Sequence, residues 1–149
     1  ILGSTGGYIS SIGGGYDAND VLSMREYEGK VYAGHTHSTI DRFANTSDPT
    51  TWEYEALAGD PQILNMRILS DGNLYLPTVN SLDNGKLFRR TFSGTNELVV
   101  DPGLNADTGT DYDLVREIVE FNGRKYLAIQ DRIGTSGVNH IGYIFKLTN

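Results

Sequence analysis

Three short stretches of the chain repeat one another: Gly29-Lys30-Val31-Tyr32, Gly72-Asn73-Leu74-Tyr75 and Gly123-Arg124-Lys125-Tyr126. A glycine supplies the backbone freedom of a tight turn, and tyrosine suits a pleated, half-buried strand. A chain that makes one turn and one aromatic three times is built from repeats, and repeated units bury their faces by stacking on one another. The three glycines are 43 and 51 residues apart, close to the ~40–50 residue period of units that contain four strands each.

The likeness extends beyond the turns. An apolar stretch precedes each one, over residues 21–27, 63–69 and 114–121, and a second run carries the repeated Tyr. A third run follows in each unit: TIDRF ending at Phe43, GKLFRR around Phe88 and IGYIFK around Phe145. A fourth closes the first two units, TWEYEALAG from Thr51 and NELVVDPG from Asn96. Units therefore span residues 21–59, 63–103 and 113–149, and the last stops after three strands. At the other end GGYISSIGGG, residues 6–15, has no first three strands before it and matches the missing fourth in apolar content. The stretch DYDLVREIVEFNG also fits helical spacing, but its place before a turn of the repeat favours a strand.

These features give an all-β fold: three four-stranded propeller blades, half a propeller, with the last blade completed by the N-terminal strand. Completing one blade from both chain ends is how ring propellers avoid a bare edge, yet three blades are too few for a ring of the usual 4–8. The strand is then expected to come from another copy, giving six blades from two chains, unless the chain is a piece of a longer propeller. A rotation that does not close would instead build a filament.

Charge narrows the partners. Lys+Arg number 12 against Asp+Glu 19, a net charge of −7, whereas nucleic acid or an anionic membrane calls for a basic surface. With no Cys there are no disulfides or thiolate metal sites, and the compartment stays open, an extracellular or virion-surface setting being the expectation. No apolar run reaches the ~18 residues of a membrane span. The sequence opens on Ile1, as a processed, truncated or partial chain does.

At Thr46-Ser47-Asp48-Pro49-Thr50-Thr51-Trp52 the chain resembles the Asp-box of the sialidase-like (BNR-repeat) propellers, whose pattern is S-x-D-x-G-x-T-W. One residue is missing between Asp48 and Trp52, Thr50 stands near the glycine position, and the other two units lack the box. The resemblance implies that Asp48 caps the turn between third and fourth strands and that Trp52 packs between blades, which are structural roles. With them, Gly29, Tyr32, Gly72, Tyr75, Gly123 and Tyr126 are expected to be structural.

A sialidase-type site would need an arginine cluster and a Tyr nucleophile. Arg25, Arg67 and Arg116 lie on the expected innermost strands, but Arg67 aligns with Arg25 only after a one-residue slip and Arg116 is three out of register. Channel-lining or salt-bridged arginines are the simpler reading. Ligand-binding groups are instead expected on the loops of one face, where His35, His37, Asn80, Asp83, Asp131, Arg132 and His140 would converge. Asp17, Asn19, Asp20 and Asp60 would join them from the connections between units.

His35 and His37 point to one side of an extended strand, although no third ligand completes a metal shell. The oxygens of Asp107, Asp111 and Asp113 in DTGTDYD suit Ca²⁺ or, more simply, a turn. SIGGGY lacks the strand-to-helix setting of a phosphate cradle. With no G-x-S-x-G elbow, H-E-x-x-H or Cys/His pair in sight, the leading expectation is a non-catalytic module for self-assembly and for recognition of a glycan or protein. The alternatives are a fragment of a sialidase-like glycan-cleaving enzyme and the subunit of a strand-exchanged filament.

Overall fold

The computed structural model describes residues 21–35, 42–46, 53–57, 62–79, 85–103, 114–133 and 139–148. All regular structure among them is β, as the repeat requires. The first unit is a meander of β1 (Val21–Tyr27), β2 (Lys30–His35), β3 (Arg42–Thr46) and β4 (Glu53–Ala56), each antiparallel to the next. The second comprises β5 (Gln62–Ile63), β6 (Arg67–Ile68), β7 (Leu74–Val79), β8 (Leu87–Arg90) and β9 (Asn96–Val100). The third is β10 (Leu114–Phe121), β11 (Arg124–Ile133) and β12 (Asn139–Lys146). Ile118 therefore sits on a strand.

The expected single strand over residues 63–69 is instead two short pieces, β5 and β6, both paired with β7. The break spans Leu64 to Met66, and the register against β7 shifts by one residue across it. Residues 6–15, the expected orphan strand, lie outside the described residues, as do Asp48 and Trp52 of the Asp-box-like turn.

The three repeated glycines all occupy the left-handed region, with φ of 71°, 75° and 69° at Gly29, Gly72 and Gly123. In the outer two units the preceding residue is left-handed as well, Glu28 at 54° and Asn122 at 50°. Two such residues make the hairpin turn whose twist matches that of the flanking strands. The middle turn is one residue longer: the Gly72 N–H donates to the Leu69 carbonyl at 2.9 Å and the Leu69 N–H to the Asn73 carbonyl at 3.3 Å. That extra residue absorbs the slip seen in the sequence. Arg25 stands opposite Tyr32, and Arg67 stands opposite Tyr75.

Alternation along the strands turns this register into a layered core. Leu74 and Leu76 of β7, with Phe88 of β8, pack with Tyr27, Tyr32 and Leu57 of the first sheet. Tyr75 and Leu87 project from the other face, against Val115, Ile118, Leu127 and Ile129 of the third. The middle sheet is covered on both sides, and all six residues of β7 are buried. Each large side chain so buried contributes about 1.5–3 kcal/mol.

Close approach between sheets requires glycine at two points. A Cβ on Gly34 would lie 2.8 Å from the Ile63 carbonyl oxygen, and one on Gly85 would lie 2.6 Å from the Val115 nitrogen. Beside Gly85 the strands change partners. Thr78 holds Lys86 through both its backbone and its hydroxyl, and one residue later Leu114 of β10 pairs with Val79. The second and third sheets are thus hydrogen-bonded into one eight-stranded sheet, whereas the first is a separate four-stranded sheet.

Candidate functional site

Buried Arg90 meets Tyr32 between the first and second sheets, and a larger polar cluster runs along the seam between the second and third, organised by the next repeated tyrosine. Tyr75 is 1% exposed, so its hydroxyl needs partners. It donates to Asp71 Oδ2 at 2.7 Å and accepts from Lys125 Nζ at 2.7 Å, while Lys125 Nζ also reaches Asp71 Oδ2 at 2.6 Å. Asp71 is fixed by its turn, where its Oδ1 accepts the Asn73 N–H at 3.1 Å.

Burial by itself would raise the Asp71 pKa, but hydrogen bonds from Lys125, Tyr75 and Asn73 outweigh it and hold the carboxylate far below its ordinary range. For Lys125, burial pulls down, and the bonds to Asp71 and Tyr75 push the ammonium above its usual value. Burial, reinforced by Asp71 and opposed by Lys125, raises Tyr75. Its phenol is therefore a neutral hydrogen-bonding group at ordinary pH, not an incipient phenolate.

A second set of contacts ties β6 to β10. Arg67 donates from Nε and Nη2 to the two oxygens of Glu117 at 2.9 and 3.2 Å, and Asn65 Nδ2 donates to the same carboxylate. Glu120 accepts the Ser70 N–H at 3.0 Å and its hydroxyl at 2.6 Å. These side chains are partly exposed, so each contact is weak alone; the forked Arg67–Glu117 geometry and its neighbours give the seam its weight.

Outward from Tyr75 the two sheets part around a groove of about 450 Å³. Val99 and Val100 form one apolar wall; Leu127, Ile129 and Phe145 form the other. Arg89, Lys125 and Lys146 also line it. Arg89 gives Nη2 to Glu97, whereas its Nε is buried without a hydrogen-bond partner. A polar hollow of about 470 Å³ adjoins the groove and shares Lys125, Lys146 and Leu147 with it. On the groove wall itself the charged side chains are all cations, which is a setting for an anionic acceptor and not for a cation.

Arg25, Arg67 and Arg116 have separate partners: the Met24 carbonyl at 2.8 Å, Glu117, and Gln130 Oε1 at 2.9 Å. Of the expected loop residues, His35 ends β2, while Asp131, Arg132 and His140 lie on β11 and β12, with Arg132 and His140 directly opposite one another. His37, Asn80, Asp83 and the possible Ca²⁺ ligands Asp107, Asp111 and Asp113 lie outside the described residues, as do Asp17, Asn19, Asp20 and Asp60. Among the described residues no three metal-ligating side chains stand together.

Asp71, Arg89, Glu117 and Lys125 were not singled out from the sequence. A signal for Lys125 was present: it precedes the third repeated Tyr where the other units place Val31 and Leu74. No protein family, no curated protein and no solved structure matches the chain.

Proposed function

We propose that the chain is half of a β-propeller, a non-catalytic module that assembles with itself and recognises a glycan or protein through its loops. One observation carries the reading: the interface between its own sheets is repeated, and among the described residues each end of the stack presents one half of that interface without its partner. Met24, Met66 and Ile118 each precede the residue opposite the repeated tyrosine of their unit. Met66 and Ile118 are fully buried against the preceding sheet, whereas Met24 is 49% exposed.

At the other end the tyrosines tell the same story. Tyr32 faces the second sheet, where its hydroxyl accepts from Arg90 Nε at 3.1 Å; Tyr75 faces the third, where Lys125 takes the corresponding part. Tyr126 turns away from the second sheet, together with Val119, Phe121 and Ile144, which are 47%, 67% and 81% exposed. Joining the Tyr126 face of one copy to the Met24 face of the next would cover both. An apolar surface of this kind marks an interaction site.

Two copies related by such a step would close six blades, and residues 6–15 would supply the strand beyond β12; a step that does not close would give a filament. The Asp-box-like turn supports the sialidase-like propeller class for the fold. The glycan-cleaving alternative has less support, since Arg67 is committed to Glu117 and the three arginines bind separate partners. Light scattering on the eluting protein tests the proposal. A dimer or larger assembly is expected, and a folded monomer of 16.4 kDa at tens of micromolar would overturn it.

A further inference from the structure

We propose that the groove between the second and third sheets is a binding site for a small amphipathic anion, an apolar body ending in a carboxylate. The site lies within one chain, between described strands, and stands whether or not copies assemble. Its volume of about 450 Å³ falls in the range of about 300–1,000 Å³ typical of ligand pockets, which pair apolar walls with a few convergent polar groups.

The chemistry of those groups fixes the class. In a chain of net charge −7, the ionisable side chains on the groove wall are Arg89, Lys125, Lys146 and the neutral Tyr75. Glu97 and Asp71 meet two of the cations from outside the lining. Lys146 has no ion-pair partner among the described residues. The partly exposed Arg89 guanidinium gives Nη2 to Glu97 and keeps further N–H donors, and the Lys125 ammonium has three N–H groups, of which Asp71 and Tyr75 take two. A carboxylate beside them would receive the donors that remain, as charge-assisted hydrogen bonds. The walls of Val99, Val100, Leu127, Ile129 and Phe145 would take an aryl or alkyl body. A cation or a sugar-like polyol fits neither feature.

The test is titration of ¹⁵N-labelled protein with 4-phenylbutyrate, and with 4-phenylbutan-1-ol as the uncharged analogue. Saturable shifts confined to the amides around Val100, Leu127 and Ile129 are expected, with the alcohol at least tenfold weaker. Arg89→Gln should weaken the acid at least tenfold. Should that variant lose its fold by circular dichroism, Val99→Glu serves instead: Val99 is 36% exposed, and the new carboxylate should repel the acid while sparing the alcohol. Equal affinity for acid and alcohol, shifts centred on Val119 and Ile144, or no saturation by millimolar acid would each overturn the proposal.

Discussion

Lys125 Nζ lies 2.7 Å from the Tyr75 hydroxyl across the seam between two sheets, with Asp71 Oδ2 closing the triangle. Because the folded state holds the Asp71 proton more weakly than the unfolded chain does, this carboxylate stabilises the fold above its ordinary pKa of about 3.9. The contribution is lost as pH falls below that value. Lys125 and Tyr75 are shifted upward, so their contribution is present below about 10 and lost above it. Asp71→Asn is expected to cost about 1–3 kcal/mol at pH 7 and to flatten the acid limb of urea stability measured across pH. An acid limb unchanged by the substitution would assign it to other carboxylates.

Gly85→Ala should destabilise the seam by about 1–3 kcal/mol, the usual range for overpacking, because the new methyl meets the backbone of Leu114 and Val115 at 2.6–2.8 Å. Gly142→Ala is its control. Nothing lies within 4 Å of that position, and a Cβ there should be neutral or slightly stabilising. Thermal melts of the two variants give the comparison.

Ile118 and Val119 are neighbours on β10 that face opposite ways, one fully buried and the other 47% exposed. Ile118→Ala is expected to cost about 2–5 kcal/mol, whereas Val119→Ala should stay within about 0.5 kcal/mol. Denaturant titrations should be run at a protein concentration where both variants are monomeric.

Charge placed on the open ends should act on assembly and not on folding. Met24→Lys, or Val119→Lys combined with Ile144→Lys, is expected to shift the light-scattering mass toward the monomer with little change in its circular dichroism. Assembly that survives both changes would place the contact elsewhere on the chain.

The repeat was legible because it rests on local chemistry: glycines that must be left-handed and tyrosines that must lie on a strand announce themselves in sequence. The polar seam was not legible, because Asp71 and Lys125 are 54 residues apart and acquire their relationship only when the third sheet lies on the second. Arg67 shows the intermediate case. Its place on a strand and a salt-bridged role were readable, but its partner Glu117 depended on a register set by the bulge between Val115 and Glu117. Even the slip between Arg25 and Arg67 had a local cause, one added residue in the middle turn, that a comparison of spacings could detect but not assign.

The handover at Val79, where β10 takes a place beside β7, divides the molecule into unequal partners. Main-chain hydrogen bonds run continuously from β9 to β12, whereas the first sheet adheres to the rest through side chains such as Tyr27, Tyr32 and Leu57. Opening β1–β4 therefore sacrifices packing and a few side-chain hydrogen bonds such as that of Tyr32 with Arg90, and parting the other two must also break a ladder. Amide exchange should accordingly run as two cooperative blocks, with the faster one ending before Gln62.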